Sequence, residues 1–196
     1  MRKMILAAAL VAGSAVSAAQ ATTVSDTATW SAGNGNTYQV VWGDFTWEEA
    51  RADAATRVFD GQTGYLATFT EKAEWDFVVD NLNHDHKDLF LGGSDAEEEG
   101  VWKWVTGPEA GMLISDGFSN FNKGEPNNYN GGEHWLAGWS WGSNTGWNDI
   151  FFSHDKMKGY LAEYDTAAPV PLPAALPLLL AGIGGLVGLR RFRRQA

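Results

Sequence analysis

The stretch 106–147 constrains the fold most, because it is long, rich in glycine and asparagine, and lies between two predicted strands. Before it, Val101–Val105 alternates with period two, and after it Tyr160–Tyr164 is the predicted closing strand. It contains two short apolar pieces, Trp135–Trp139 and Trp147. A loop of this length inside a compact domain is usually functional, so we expect it to carry the site.

The sequence before this loop predicts one strand and two helices. Tyr38–Trp42 is aromatic and β-branched, as strands are. Thr46 is the predicted N-cap of the first helix, since Glu49 completes a capping box, and a second helix is predicted to begin near Thr70. The apolar residues at helical spacing are Trp47, Ala50, Ala54 and Val58 in the first helix, and Trp75, Val78, Val79 and Leu82 in the second. The predicted class is α+β.

The N-terminal residues have the pattern of a secretory signal peptide. A basic start and the apolar run Met4–Val11 are followed by small residues. We predict a signal peptide over 1–21, with cleavage after Ala21 or, alternatively, after Ala18, and a buried N-terminal helix is the structural alternative. Residues 22–36 are small and polar, and we predict that they form a leader.

The C-terminal part contains a long apolar span, Ala167–Leu189, without a charged or polar side chain. It is long enough to cross a hydrocarbon core of about 30 Å, and the arginines within 190–194 would stay on the cytoplasmic side. Four prolines in its first half argue against a core helix. Val170–Ala174 (VPLPA), the span and the arginines together resemble the VPLPA/PEP-CTERM class of bacterial sorting signals. That resemblance implies that 166–196 form a sorting signal with a transmembrane helix, recognised by a sorting protease of the exosortase type, and delivery to the cell envelope or to secreted exopolysaccharide.

The middle of the chain is strongly acidic. Residues 22–166 contain all 24 acidic residues but only 8 of the 14 basic residues, a net charge of −16. Such a domain will not seek nucleic acid or anionic lipid. Cysteine is absent, so stability must come from packing, from a bound ion, or from both.

Carboxylates and amides cluster in the later part of the loop and just after it, among glycines and aromatic residues. These oxygen donors are Glu125, Asn127, Glu133, Asn148 and Asp149. Hard oxygen donors without cysteine or regularly spaced histidine suit Ca²⁺, which takes about 6–8 oxygen ligands. The alternative is a polar turn whose side chains satisfy backbone groups. From the residues alone, both interpretations stay open.

Several short motifs occur in the order of one known family. Glu125–Asn127 and Trp147–Asp149 look like EPN and WND motifs. Further matching segments are Gly64–Thr68 (GYLAT), Leu89–Gly93 (LFLGG, in the place of a WIGL strand, with departures at Phe90 and Leu91) and Glu99–Trp104 (EGVWKW). Together they resemble the C-type lectin-like domain over most of 37–165. The resemblance implies a C-type lectin-like fold, with two helices, small antiparallel sheets and a long calcium-binding loop region.

The resemblance also implies a role for each oxygen donor. By position, the calcium ligands are Glu125, Asn127, Glu133, Asn148 and Asp149, and the first four of these also bind the sugar. Two vicinal sugar hydroxyls would replace water at the ion, while carboxylates accept their protons and asparagine amides donate to their oxygens. The EPN order resembles the mannose-type arrangement, whereas QPD accompanies galactose.

The family's auxiliary calcium site is matched only in part. Asp95 and Glu99 match two of its ligands, but Asn128 and His134 stand where the family pattern favours acidic residues. No second site is therefore assigned, and His134 is expected near the principal ion without ligating it. The family's usual disulfides are missing.

Among the remaining aromatic and histidine residues, Trp147 is expected to pack in the core. Trp139 or Trp141 could stack on a sugar face, and core or rim packing is the alternative. The segment His84–His86 is expected to be a solvated loop rather than a metal site.

The leading hypothesis is a calcium-dependent carbohydrate-binding module at the bacterial cell surface or in exopolysaccharide. The alternative is a calcium-independent protein-interaction or matrix structural module of the same fold. We do not expect an enzyme, because the candidate acids are ion ligands and no nucleophile is found with a base and an orienting group.

Overall fold

A computed structural model describes residues 22–82, 89–141, 144–151 and 157–166, without the side chains of 139–141 and 144–145. The predicted signal peptide over 1–21, the segment His84–His86 and the predicted span Ala167–Leu189 lie outside these residues. Within the described ranges, no helix is long and apolar enough to cross a membrane.

Two helices and a set of short strands make up the described part of the chain. The helices are α1 (Trp47–Ala54) and α2 (Lys72–Leu82), with a 3-10 turn at Ile114–Asp116. The strands are β1 (Thr23–Thr29), β2 (Thr37–Phe45), β3 (Val58–Phe59), β4 (Gln62–Thr63), β5 (Tyr65–Leu66), β6 (Leu89–Ser94), β7 (Lys103–Trp104), β8 (Trp135–Trp141), β9 (Asn144–Ile150) and β10 (Met157–Tyr164). The α+β prediction is confirmed.

Most strands join one sheet in the order β1-β2-β10-β6-β8-β9, with β5 on β10 and β7 on β6, while β3 and β4 form a separate hairpin. The closing strand β10 lies in the middle of this sheet. It runs antiparallel to β2 and β5 but parallel to β6, so the sheet is mixed rather than antiparallel throughout. A parallel pair needs a long crossover connection, and the long loop with β8 and β9 supplies it.

Local sequence signals account for α1. The Thr46 hydroxyl accepts the N–H of Glu49 at 3.2 Å, and the Glu49 carboxylate accepts the N–H of Thr46 at 2.9 Å, which completes the predicted capping box. The residues that α1 buries are Trp47, Ala50 and Ala54. The prediction for Val58 is wrong, because the helix ends at Ala54 and Val58 is 66% exposed in β3.

The second helix begins close to its predicted start. The Glu74 carboxylate accepts the N–H of Thr70 at 2.9 Å, just before the helix begins at Lys72. Trp75, Val78 and Leu82 are buried on its inner face, as the spacing predicts.

Residues 22–36, predicted as a polar leader, contribute β1 to the sheet. Thr23 and Val24 pair with β2, and after an irregularity Thr27–Thr29 continue the pairing. Most of the β1 side chains are exposed, so backbone pairing rather than apolar burial holds this strand. A polar segment carries no apolar alternation from which such a strand could be predicted.

The predicted strand Val101–Val105 is shorter in the structure, where β7 covers only two residues. The two apolar pieces of the long loop belong to regular structure instead, since they form β8 and β9, which pair from Trp135 opposite Ile150 to Trp141 opposite Asn144.

Trp147 on β9 is the centre of an aromatic cluster beneath the loop region. Its side chain is fully buried, as predicted. Five aromatic rings surround it with centroids 5.3–6.2 Å away: Phe69, Trp75, Trp104, Phe118 and Phe121. The cluster joins α2, β7 and the long loop to β9, and it therefore fixes the position of the residues that follow Trp147.

Candidate functional site

The five predicted oxygen donors come from three places in the fold. Glu125 and Asn127 lie in the loop on either side of Pro126, and the Glu125–Pro126 peptide bond is cis. Glu133 lies two residues before β8. Asn148 and Asp149 lie on β9, opposite Ala137 and Leu136 of β8. The structure brings these segments together at one end of the β8–β9 pair.

Asp149 ties the loop to the sheet. Its carboxylate is 1% exposed and accepts the N–H of Asn127 at 3.1 Å and the N–H of Asn128 at 2.7 Å. Its side chain is also close enough to that of Glu125 to form a hydrogen bond. A buried carboxylate therefore fixes the backbone on which two of the other donors lie.

Glu133 is held from the same loop. Its carboxylate accepts the N–H of Tyr129 at 2.6 Å. The Asn128 side-chain oxygen accepts the N–H groups of Gly132 and Glu133 at 2.6 and 3.2 Å, and so closes the turn before Glu133. Asn128 has a φ of 46°, a left-handed conformation that asparagine tolerates better than most residues.

The electrostatics of the site favour a cation. Burial raises the pKa of Glu125 above its ordinary value, and the carboxylates of Asp149 and Glu133 raise it further. Burial also raises the pKa of Glu133, and the charge of Asp149 raises it further. Hydrogen bonds from the N–H groups of Tyr129 and Phe151 partly lower the same pKa. Three carboxylates gathered in a partly buried place repel one another, and a cation between them would offset that repulsion.

Among the described residues, two buried oxygen atoms of the site find no hydrogen-bond donor: Oε2 of Glu125 and Oδ1 of Asn148. Buried acceptors in folded proteins are nearly always paired, and one without a hydrogen bond is often explained by an ion. A carboxylate oxygen and an amide oxygen are both ligands that Ca²⁺ takes. The donor set therefore fits the group that the motifs imply.

Two aromatic side chains beside these donors were not predicted from the sequence. Tyr129 is 67% exposed, and its backbone N–H binds Glu133. Phe151 is 50% exposed and lies at the end of β9. The sequence signal for Tyr129 was its place between Asn127 and Glu133. The side chains of Trp139 and Trp141, the predicted stacking candidates, lie outside the described part of the structure.

The partial auxiliary site also has a definite geometry. Asp95, Glu99 and His134 each present one donor atom, and these three atoms lie within 4.8 Å of one another. The side-chain oxygen of Asn128, the fourth residue considered for this site, accepts two N–H groups within the loop.

The family model for the Lectin C-type domain matches residues 43–151. The match includes both helices and all five predicted oxygen donors.

Comparison with individual proteins identifies similar sequences and similar structures. Halomucin of Haloquadratum walsbyi is 38% identical over 138 residues, which is 67% of this chain and 1% of halomucin. A perlucin-like protein of Mytilus galloprovincialis is 36% identical over 104 residues, which is 50% of this chain and 60% of that protein. The chain thus spans less than two thirds of these relatives. Among solved structures, the C-type lectin domain of murine dendritic cell inhibitory receptor 2 in complex with N-glycan superimposes with a TM-score of 0.52 at 22% identity, covering 67% of this chain and 91% of that one.

Proposed function

Because this chain belongs to the Lectin C-type domain family, with a C-type lectin fold, we propose that it is a calcium-dependent carbohydrate-binding module. C-type lectin domains generally bind Ca²⁺, and the family consists of non-enzymatic binding proteins. The observation that carries the proposal is the convergence of five oxygen donors, two of which hold buried oxygens that accept no hydrogen bond from any described residue. We do not assign a catalytic role to the acids, because each has a place as an ion ligand.

Glu125, Asn127, Glu133, Asn148 and Asp149 would hold the calcium ion. The bound ion supplies positions at which two vicinal hydroxyls of a sugar replace water. Asp149 keeps the loop in place through the N–H groups of Asn127 and Asn128. The carboxylates of Glu125 and Glu133 accept hydrogen bonds from the hydroxyls, and the amides of Asn127 and Asn148 donate to the same hydroxyl oxygens.

The order of Glu125 and Asn127 supports a mannose-type preference. Glu125 accepts hydrogen bonds on its side of the ion, and Asn127 donates on the other side. Each hydroxyl of an equatorial 3,4-diol can therefore donate one hydrogen bond and accept another. An axial 4-hydroxyl, as in galactose, presents its proton and lone pairs in another direction and leaves a polar group unpaired, at a cost of about 1–3 kcal/mol. The expected ligands are mannose, fucose or glucose-like diols.

We expect the full chain to bind mannose-type glycans on an array in calcium and to lose them in chelator. An unpaired group worth about 1–3 kcal/mol corresponds to a preference over galactosides of about 5- to 150-fold.

Asp149→Ala should remove glycan binding, since it deletes a ligand and releases the loop. Glu125→Gln combined with Asn127→Asp should keep calcium and shift the preference toward galactose.

Asp116→Ala is the matched control, because Asp116 is an exposed carboxylate on the 3-10 turn and takes no part in the site. Its glycan binding should equal that of the unaltered protein.

Thermal melting separates the alternatives: for a Kd of about 1 mM, 10 mM calcium adds about 1.4 kcal/mol to the free energy of unfolding. A melting temperature that changes with neither calcium nor chelator, together with no glycan bound on the array, would instead identify a calcium-independent interaction or matrix module. Stronger binding to galactosides would refute the mannose assignment alone.

We also propose that the protein is exported, and that 166–196 anchor it through a membrane helix until an exosortase-type protease sorts it to the cell envelope or to exopolysaccharide. The proposal rests on the composition of both ends of the chain. Cleavage after Ala21 would leave β1 intact, since that strand begins at Thr23.

Mass spectrometry of envelope and medium fractions should therefore find a mature protein that begins at Thr22. A protein that keeps Met1 in those fractions would contradict the signal-peptide prediction, and one that begins at Ala19 would move the cleavage to its alternative.

A further inference from the structure

Asp95, Glu99 and His134 form a compact group of donor atoms on the flank of the candidate calcium site. Nδ1 of His134 lies 3.0 Å from Oδ1 of Asp95 and 3.6 Å from Oε2 of Glu99. The Asp95 side chain is 1% exposed, while His134 and Glu99 are 37% and 51% exposed. One face of the group is thus buried and the other is open to solvent.

Backbone contacts hold Asp95 and His134 side by side. Asp95 follows β6, His134 precedes β8, and the N–H of Asp95 donates to the carbonyl of His134 at 3.4 Å. The strands continue this pairing, with Ser94 opposite Trp135. The position of the histidine relative to the buried carboxylate is therefore set by the sheet.

The turn after Asp95 brings Glu99 to the same place. The N–H of Gly100 donates to Oδ2 of Asp95 at 2.8 Å, and the N–H of Glu98 donates to the Asp95 carbonyl at 2.9 Å. Because Oδ2 is used to close the turn, Oδ1 is the oxygen that faces His134. Two carboxylates from one turn and one imidazole from the neighbouring segment then present donor atoms within 4.8 Å of one another.

Two separations between the donor atoms are close to those expected around a small ion. Zinc bonds of about 2.0–2.2 Å to nitrogen and oxygen give a tetrahedral site in which neighbouring donors are about 3.3–3.6 Å apart. The two separations from Nδ1, 3.0 and 3.6 Å, lie around this range. Both contacts are also within ion-pair distance, so the zinc titration described below distinguishes a shared proton on this ring nitrogen from a metal ion.

We propose that Asp95, Glu99 and His134 bind a divalent transition-metal ion of the Zn²⁺ type, and that this site does not select calcium. Calcium takes oxygen ligands, whereas imidazole nitrogen suits zinc and its neighbours in the first transition row. Nδ1 of His134 and one oxygen each of Asp95 and Glu99 would be the ligands, and water would complete the shell on the exposed face. None of the three ligands belongs to the candidate calcium and sugar site, so the proposal stands independently of the proposed function.

Isothermal titration of the full chain with zinc chloride tests the proposal directly. We expect one Zn²⁺ per chain with His134 and Glu99 as ligands, in the presence of millimolar calcium. His134→Gln and Glu99→Gln should each weaken this binding by more than about tenfold, because each removes one of three protein ligands. Co²⁺ offered in place of Zn²⁺ should give visible absorption bands that disappear in His134→Gln.

Glu97→Gln is the matched control. Glu97 lies in the same turn, but its carboxylate is 81% exposed and pairs with Lys103 at 2.7 Å. This variant should bind zinc like the unaltered protein. Glu99 is half exposed, so Glu99→Gln tests the site even if His134→Gln fails to fold. Zinc binding of equal strength in all three variants, an absence of zinc binding in the unaltered protein, or full displacement of zinc by millimolar calcium would each overturn the proposal.

Discussion

Replacing Trp147 with alanine should lower the free energy of unfolding by about 3–5 kcal/mol, the usual cost of deleting a large buried aromatic side chain. Trp147 is fully buried, and five other aromatic rings surround it. The cavity cannot close easily, because its walls come from α2, β7, the long loop and β9. Urea denaturation followed by circular dichroism measures the loss.

Tyr129→Ala is the matched control for this prediction. It also deletes an aromatic ring, but Tyr129 is 67% exposed, so its stability should change by no more than about 0.5 kcal/mol. Trp147→Phe keeps a ring in the cluster and should fall between the two, which provides a measurement if the alanine variant does not fold. A loss below about 1 kcal/mol for Trp147→Ala would show that the cluster does not hold the domain together.

The second large effect is a fall in stability as the pH rises. Glu163 on β10 is 2% exposed, and burial raises its pKa from 4.5 to about 8. Hydrogen bonds from the Thr68 N–H at 3.0 Å and from the Asn36 amide at 2.8 Å lower this pKa in part. The carboxylates of Glu74 and Glu109 raise it further. Below pH 4.5 the group is protonated in both the folded and the unfolded chain. Between pH 4.5 and about 8 only the folded chain keeps the proton, so unfolding releases it and stability falls.

At about 1.4 kcal/mol per pH unit, this window corresponds to a loss on the order of 5 kcal/mol. Glu163→Gln carries no charge at any pH, so its stability should change much less over the window. It should be less stable than the unaltered protein at pH 4.5, because an amide can accept only one of the two hydrogen bonds. Chemical denaturation in calcium-free buffer at several pH values provides the measurement.

Glu71→Gln is the control, since Glu71 is an exposed glutamate just before α2 and should leave the pH profile unchanged. If the free energy of unfolding of Glu163→Gln falls with pH as steeply as that of the unaltered protein, the pH dependence comes from other carboxyl groups. The candidates are Glu74, Glu125 and Glu133, whose pKa values burial also raises.

Features specified by neighbouring residues could be predicted from the sequence. The capping box of α1 depends on Thr46 and Glu49 alone, and both of its hydrogen bonds are present. The inner face of α2 follows from helical spacing in the same way. Val58 shows where this reasoning stops, because the spacing continued past the point at which the chain leaves the helix.

Features that depend on distant partners could not be predicted from local pattern. β1 has a polar sequence and exists as a strand through its pairing with β2. The contact between His134 and Asp95 joins residues 39 positions apart, and neither residue carries a local signal for the other. The residues alone left the five oxygen donors open between a calcium site and a polar turn, and the resemblance to a family decided for calcium. Their convergence itself depends on the pairing of β8 with β9.

The different burial of the proposed ligand side chains has a consequence for how binding preference can diverge among related chains. Asp149 is 1% exposed and holds the loop backbone, whereas Asn127 is exposed on the loop that Asp149 supports. A substitution at Asn127 alters the outer rim while the backbone beneath it keeps its hydrogen bonds, whereas a substitution at Asp149 releases the whole loop. Under the proposed function, selection can therefore change which glycan is recognised through one or two surface replacements, and the same separation gives a protein engineer positions to randomise without repacking the interior.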